Sequence, residues 1–407
     1  MTRVLFLAHT AAPSGAELAT LRLAAALRGV PGCEPSVIYT EDGPMVERMR
    51  ARGVETRVLR SAFDSRAMTI GAGPLRLLRG FAALLRLGWT LGAAARGVDV
   101  VVAESTKALV LGAVAARRAR VPLVWHVHDR IAADYFGRWP ALIIRILGRV
   151  AAHGFLANSR TTLATLSTGR RPAVVAYPGV EFEPEPPRPG PRAPEDSVVA
   201  VVGRLSPWKG QDLLLRALAD AKVRPRQVFL VGGTFFDEEP YRAELERIAA
   251  ELVLPVTFTG HVDDPRPYLR DADVLVHCSV LPEPFGQVVV EGMRAGCAVV
   301  ASGPGGPTEI IRDGVDGVLV RSGDRRELTS ALDTLLLDPA LRFRLATAGR
   351  LRAADFAVDA IARDVAGFLN GIEAQRNTRN RGRTRVIAAA HAAARAVTAF
   401  LRRPRHG

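Results

Sequence analysis

The sequence predicts an α/β protein built as two similar halves, each a doubly wound parallel sheet, facing one another across a cleft. Three observations lead there. Apolar runs too short for helices alternate with helix-length amphipathic segments along the chain, the pattern of parallel strands joined by crossover helices. Residues 183–197 hold six prolines and almost no apolar side chains, and the alternation restarts after them. At 407 residues the chain also exceeds what one hydrophobic core normally serves. Expected boundaries are a first domain at 1–182, a Pro-rich linker at 183–197, a second domain at 198–370 and a basic tail at 371–407.

The first half opens with an apolar strand at Val4–Ala8, a turn at Pro13-Ser14-Gly15 and a helical pattern from Ala16 to Leu27. Further strands are expected near Ser36–Tyr39, Glu55–Leu59, Val98–Val102, Leu123–Val127, Phe155–Ala157 and Ala173–Ala176. Between residues 75 and 96, Leu77, Leu78, Phe81, Leu84, Leu85 and Trp89 fall on one side of a helix, and Arg76, Arg79 and Arg86 cluster on the other. Such a helix packs on the sheet, or holds its basic face against anionic lipid.

In the second half, strands are expected at Val198–Val202, Gln227–Val231, Val256–Phe258, Val274–His277, Ala298–Ala301 and Val318–Val320. Ligands of two such sheets bind off the carboxyl ends of the strands.

The net charge of +14 admits nucleic acid, anionic membrane or anionic substrates as partners. Only Lys107, Lys209 and Lys222 are lysines among 55 basic residues, so the position of charge says more than its sum. After Glu373 no acidic residue follows, while Arg376, Arg379, Arg381, Arg383 and Arg385 precede an Ala-rich helical pattern and Arg402, Arg403 and Arg405. This reads as a disordered basic tail or a membrane-surface anchor. Nucleic acid ranks behind, because no recognisable nucleic-acid module accompanies the charge. Cys33, Cys278 and Cys297 sit in apolar surroundings without metal-site spacing, which suggests reduced thiols in a cytosolic protein. The N-terminus is a poor signal peptide, and no run approaches the roughly 20 apolar residues of a membrane span.

Chemistry concentrates in two places. The strand at Val198–Val202 empties into Gly203-Arg204-Leu205-Ser206-Pro207-Trp208-Lys209-Gly210, where glycine permits close approach to a ligand. Arg204 offers a planar fork and Lys209 a movable point charge, a pairing suited to a diphosphate. The strand at Val274–His277 leads through Pro282-Glu283-Pro284, an extended loop, to a helix opening near Phe285 and Gly286 with Glu291 on its first turns. The free N–H groups of that helix suit phosphates, and the Glu291 carboxylate can accept two hydrogen bonds from a vicinal diol such as ribose.

These segments resemble the retaining family-four glycosyltransferases of the GT-B fold, over most of residues 1–370. The likeness rests on Gly203-Arg204-Leu205 with Lys209-Gly210, on Glu283 and Glu291 with Pro284-Phe285-Gly286 between them, on Thr259-Gly260-His261 and on Gly303–Glu309. In the first half, Ser14-Gly15-Ala16-Glu17 is similar to the family's first glycine loop, and Tyr177-Pro178-Gly179-Val180 to the end of its first domain.

The resemblance implies that Gly203, Arg204 and Lys209 bind the donor diphosphate, Arg204 and Lys209 stabilising the leaving group. It implies that Glu291 binds the ribose, that Glu283 contacts the donor sugar, that Phe285, Gly286 and Gln287 give backbone contacts, and that Gly15 approaches the phosphates from the opposite domain. His128, in Trp125-His126-Val127-His128-Asp129, resembles the family's sugar-contacting histidine; His126, one alternation step away, points the same way, so the assignment stays open between them. The catalytic set implied is His128, Arg204, Lys209 and Glu283. No metal is expected, because Arg204 and Lys209 can take its place, although His126, His128 and Asp129 lie close in sequence.

The implied activity is transfer of a hexosyl unit from a nucleotide-diphosphate sugar to a glycan or lipid-linked acceptor in envelope or exopolysaccharide synthesis. The expected place is the cytoplasm, or the cytoplasmic face of the inner membrane. The alternatives are a nucleotide-sugar epimerase of the same fold and a non-catalytic sugar-nucleotide or membrane-binding adaptor. The joint presence of Arg204, Lys209, Glu283 and Glu291 argues against both.

Overall fold

The computed structural model describes residues 1–60, 74–182, 190–234, 238–376 and 378, with the side chains of 74–79 and 81 left outside the description. Strands β1 (Thr2–Ala8), β2 (Cys33–Tyr39), β3 (Glu55–Val58), β4 (Val100–Ala103), β5 (Leu123–Val127), β6 (Gly154–Ala157) and β7 (Ala173–Val175) form one parallel sheet in the order β3-β2-β1-β4-β5-β6-β7. Strands β8 (Val198–Val202), β9 (Gln227–Val231), β10 (Val256–Gly260), β11 (Val274–His277), β12 (Ala298–Gly303) and β13 (Val318–Arg321) form the second, also parallel, in the order β10-β9-β8-β11-β12-β13. Every expected strand is present, with ends shifted by a few residues. Two Rossmann-like domains of the GT-B type are the result.

Strand composition explains the layering. Side chains alternate across a strand, so Val4 and Phe6 enter the core on one face of the first sheet while Leu5 and Leu7 enter the core on the other. In β8, Val199 and Val201 serve one face and Val198 and Ala200 the other. Both sheets are therefore covered on both sides, as parallel sheets require. In each, the chain moves outward to one edge and then returns to build the other. This leaves a crevice at the carboxyl ends of β1 and β4, and another at those of β8 and β11.

The expected second-domain limit at residue 370 needs correction. Residues 358–376 form a helix, and Ile361, Ala362, Val365, Ala366, Leu369 and Ile372 from it are buried in the first sheet's core, next to Val4, Phe6 and Leu27. The apolar periodicity of this helix matches the first domain, to which the chain returns. Its entry is fixed by Val180 N–H to Phe356 O at 3.0 Å and Val358 N–H to Val180 O at 3.0 Å, so outgoing and returning segments run side by side. Gly179 permits this, since a Cβ there would stand 2.6 Å from Val358 Cα.

Residues 183–189 of the expected linker lie outside the description, and residues 190–197 are not loose. Arg192 pairs with Asp271 and Asp273 of the second domain, and the Arg342 guanidinium donates to its carbonyl. The helix expected between 75 and 96 is Pro74–Ala94; it packs on the Thr106–Ala119 helix at Gly88 and Gly92, and its Leu84 and Leu91 join the core on that face of the first sheet. Leu84 is buried, whereas Leu85 and Trp89 are exposed, Trp89 lying under the Arg118 guanidinium at 4.4 Å. Leu77, Leu78, Phe81, Arg76 and Arg79 carry undescribed side chains, and the basic tail beyond 378 lies outside the described residues. Among the described residues no helix is long and apolar enough to cross a membrane.

Candidate active site

The second-domain half of the site is built by two loops locked together. Gly210 adopts φ 71° and closes against the loop after β11; a Cβ there would meet the Cys278 carbonyl at 2.2 Å, so only glycine fits. That closeness delivers the Lys209 ammonium to Glu283, with Nζ to Oε2 at 2.7 Å. The Ser279 hydroxyl donates to the same carboxylate oxygen at 3.0 Å, and His277 Nε2 lies 3.2 Å from it. Burial alone would push the Glu283 carboxyl up, but the charge of Lys209, with the His277 hydrogen bond, outweighs it and holds the group well below the usual carboxylate range. Lys209 also sits 4.1 Å from the centre of the Trp208 ring.

Behind this pair, the Gly303–Glu309 segment acts as a backing plate. A Cβ on Gly306 would lie 2.2 Å from Phe285 Cα, and Gly306 N–H donates to the Glu283 carbonyl at 2.8 Å. The Phe285 side chain is buried against Tyr177 and Phe356, leaving its backbone to shape the loop. Gly286, at φ 91°, opens the Gln287–Arg294 helix, as expected, and Glu291 follows one turn later. Glu291 accepts from Gln287 Nε2 at 2.8 Å and pairs at 3.2 Å with Arg22 from the first domain. Arg204 follows Gly203 at the end of β8, and its Nε lies 3.3 Å from Glu238.

The first-domain half is organised by a residue that motif reading passed over. Glu104 follows β4 directly, is 6% exposed, and accepts the Thr20 hydroxyl, His126 Nδ1 at 3.2 Å and His128 Nε2 at 2.9 Å. Burial opposes its charge, but the charge of His126 and the bonds from both rings keep Glu104 ionised well below the ordinary range. The two imidazoles do point the same way, with centroids 4.1 Å apart, yet they differ electrically. Burial lowers His126; for His128 the bond and charge of Glu104, helped by Glu17 and Asp129, overcome burial and raise it. His126 Nε2 is buried without a partner.

Glu104, His126 and His128 are also the group, among the described residues, whose ligand atoms (all within 4.8 Å of one another) could hold a metal ion. Asp129 is not part of it. Here the carboxylate is committed to three hydrogen bonds.

The two halves share one electrostatic neighbourhood. Asp129 is raised by burial and by the negative charge of Glu283; Tyr135 is pushed up to about 12 by burial and by Asp129, with Arg204 and Glu283 also acting on it. Further contacts clasp the domains. Glu309 accepts the backbone N–H groups of Arg160 and Thr161 at 2.9 and 2.7 Å and the Tyr177 hydroxyl at 3.0 Å. Gly15 opens the Gly15–Arg28 helix with clear space around it, and the second-domain contact from that helix is made by Arg22.

Lys209 and Glu283 are thus brought together, Glu291 meets Arg22 of the first domain, Arg204 meets Glu238, and His128 is tied to Glu104, with neighbouring Asp129 feeling the charge of Glu283. Glu104, Thr20, Glu17, Arg22, His277 and Ser279 were missed. The usable signal was Glu104, a lone carboxylate closing an all-apolar strand at the first sheet's switch point.

Two family profiles match in tandem, one described as Glycosyltransferase Family 4 over residues 13–183 and one described as Glycosyl transferases group 1 over residues 183–352. The chain is 32% identical over 282 residues to the D-inositol 3-phosphate glycosyltransferase of Streptomyces bingchenggensis, the match spanning 62% of each protein and so less than two thirds of that relative. It is 30% identical over 313 residues to the enzyme of that name from Nocardia farcinica, covering 66% of this chain and 68% of the relative. Among solved structures, Anabaena HepE in complex with UDP and glucose aligns with a TM-score of 0.77 at 28% identity, covering 91% of this chain and all of that one. The same protein has been solved with UDP-glucose.

Proposed function

The chain belongs to the glycosyl transferases group 1 family, and from that membership we propose that it transfers a hexosyl unit from a nucleotide-diphosphate sugar to a glycan or lipid-linked acceptor with retention of anomeric configuration. The observation that carries this reading is the part-buried Lys209–Glu283 pair at the β8/β11 crevice, together with His128 on its Glu104 support beyond the first sheet.

As the glycosidic bond breaks, negative charge grows on the departing diphosphate. Lys209 is pre-positioned beside the sugar-side carboxylate and Arg204 stands at the loop mouth, so both cations meet that charge without being brought from water. Glu283, kept ionised, accepts hydrogen bonds from donor-sugar hydroxyls, and Glu291 takes the ribose diol by exchanging it for Arg22. Glu104 raises the affinity of His128 for a proton against the effect of burial, which favours donation to the sugar from its other ring nitrogen. Glu104 and Glu283 are both held by hydrogen bonds and offer no dedicated nucleophile, and the reading adopted is departure and attack on one face. The diphosphate oxygen then takes the acceptor proton. Neither cation leaves the reaction in need of a metal.

UDP-glucose is the first donor to test, because the HepE structure carries it. The experiment is a thermal-shift panel with UDP, GDP, ADP and their sugar conjugates on wild type and Arg204→Ala. A ligand at 100 times its dissociation constant stabilises the folded state by about 2.7 kcal/mol. The expected result is a shift with one nucleotide, lost in the variant; no shift with any of them overturns the donor-site reading. For the acceptor, we read an envelope or exopolysaccharide glycan assembled at the cytoplasmic membrane face.

A further inference from the structure

The Arg138–Ala151 helix carries apolar side chains on its solvent face as well as toward the core. Its buried positions are small, Ala141 and Gly148, and Gly148 seats the helix on the sheet, where a Cβ would come within 2.5 Å of the Trp125 ring. Ile144 and Leu147 pack partly buried against the core, but five other large apolar residues point to solvent: Trp139 is 74% exposed, Ile143 63%, Ile146 53%, Val150 72% and Leu142 43%. At 100° per residue these five fall in an arc of about 100° opposite Ala141 and Gly148. An ordinary surface helix turns its apolar stripe to the core, and a contiguous exposed apolar patch marks an interaction surface.

The charge around the stripe says what covers it. From residue 135 to residue 180 the chain has no Asp or Glu, yet carries Arg138, Arg145, Arg149, Arg160, Arg170 and Arg171. Arg145 and Arg171 are used to bind carbonyls of Ile131 and Ala152, whereas Arg138 and Arg149 flank the stripe and are exposed, as is Arg170 beside Arg149. A second copy of the chain docked stripe to stripe would bring these arginines together. An anionic bilayer offers hydrocarbon for the stripe and phosphate for its margin.

We propose that the Arg138–Ala151 helix lies in the interface of an anionic lipid bilayer, with Trp139, Leu142, Ile143, Ile146 and Val150 among the acyl chains and Arg138, Arg149 and Arg170 at the phosphates. This deepens the membrane-face reading given above and rests on it, but locates the contact in a helix other than Pro74–Ala94 or the tail. The stripe begins at Trp139, four residues beyond Tyr135, whose hydroxyl feels the charges of Asp129, Arg204 and Glu283.

The test is flotation of the full chain with phosphatidylcholine vesicles, with and without phosphatidylglycerol, at low and high salt. It compares wild type, the triple variant Trp139→Ser/Ile143→Ser/Ile146→Ser and the double variant Arg138→Gln/Arg149→Gln. Binding of wild type to phosphatidylglycerol vesicles is expected to fall at least about a hundredfold in the triple variant, each lost apolar side chain being worth roughly a factor of ten on burial. In the double variant only the phosphatidylglycerol-dependent, salt-sensitive part is lost. Because the replaced apolar residues face solvent, the triple variant keeps its melting temperature and its nucleotide-induced shift.

Equal binding by triple variant and wild type overturns the proposal, as does binding of wild type to neither vesicle. Dimerisation of wild type that the triple variant abolishes overturns it in favour of a second copy. Absent vesicle binding with a normal nucleotide shift sinks the docking surface alone; normal vesicle binding with no nucleotide shift sinks the transferase reading alone.

Discussion

The two halves of the cleft solve one problem with different chemistry. Each parallel sheet carries a buried carboxylate beyond its switch point, Glu104 in the first domain and Glu283 in the second, and each carboxylate is held ionised by a basic partner. In the second domain the partner is Lys209, a compact ammonium. In the first it is a pair of imidazoles whose ordinary titration lies near pH 6.5. One half therefore presents fixed charge over the physiological range, and the other presents charge that pH can withdraw. This difference suits a site where one side meets an anionic donor and the other handles neutral hydroxyls.

The sharpest way to break the comparison is Lys209→Ala. Loss of preorganised charge at the leaving group is expected to cut turnover by about 100- to 1,000-fold, measured with saturating donor. Because Glu283 would be left buried without its cation, stability also falls, by about 3 kcal/mol. The double variant Lys209→Ala/Glu283→Gln should recover the lost stability in denaturant titrations while remaining inactive. Recovery of turnover would remove Lys209 from the chemistry.

Next in size is Glu104→Gln, which replaces the first-domain carboxylate with a neutral group. Turnover is expected to fall about 10- to 100-fold, with a changed pH profile. The Glu104–His128 attraction raises the histidine above its unfolded value, so its contribution is full below about pH 6.5 and is lost as pH rises through the raised value. Wild-type activity should therefore decline on the alkaline side, and in Glu104→Gln that decline should begin at lower pH. An unmoved profile would leave Glu104 a packing residue.

A smaller effect concerns stability alone. His9, at the end of β1, is lowered to about 4, first by burial and then by Lys107. Its unfolded value is near 6.5, so stability is full above that pH and is lost as pH falls from about 6.5 to 4, where only the unfolded chain takes up the proton. His9→Gln should flatten melting temperature against pH across that window. The smallest effect expected is from Arg22→Ala, which frees Glu291 and should tighten donor binding about two- to fivefold by calorimetry, in line with a partly exposed ion pair.

The second half of the site was the more legible because its parts are close in sequence. Gly203 to Gly210 and Glu283 to Glu291 each span a single strand-to-helix turn, and glycines at 210 and 286 were readable as left-handed positions. Strand positions were legible throughout, since apolar runs in parallel sheets are short and bounded by turn residues. The Glu104 cluster was not legible as a motif, because Thr20, Glu104, His126 and His128 come from three separate elements that meet only through strand order. Nor was the exposed stripe at Trp139 to Val150. Apolar periodicity gives a helix a face but not a direction, and only the small residues at 141 and 148 reveal which side the sheet takes.

The return of residues 358–376 to the first domain changes how the cleft can open. With one covalent connection, the second domain could swing and twist about a single pivot. Here two backbones cross the boundary side by side, tied by the Val180–Phe356 and Val358–Val180 hydrogen bonds. Together they form a ribbon that bends readily in one direction and resists torsion. Such a doubled connection favours hinge-like bending over twisting between the domains.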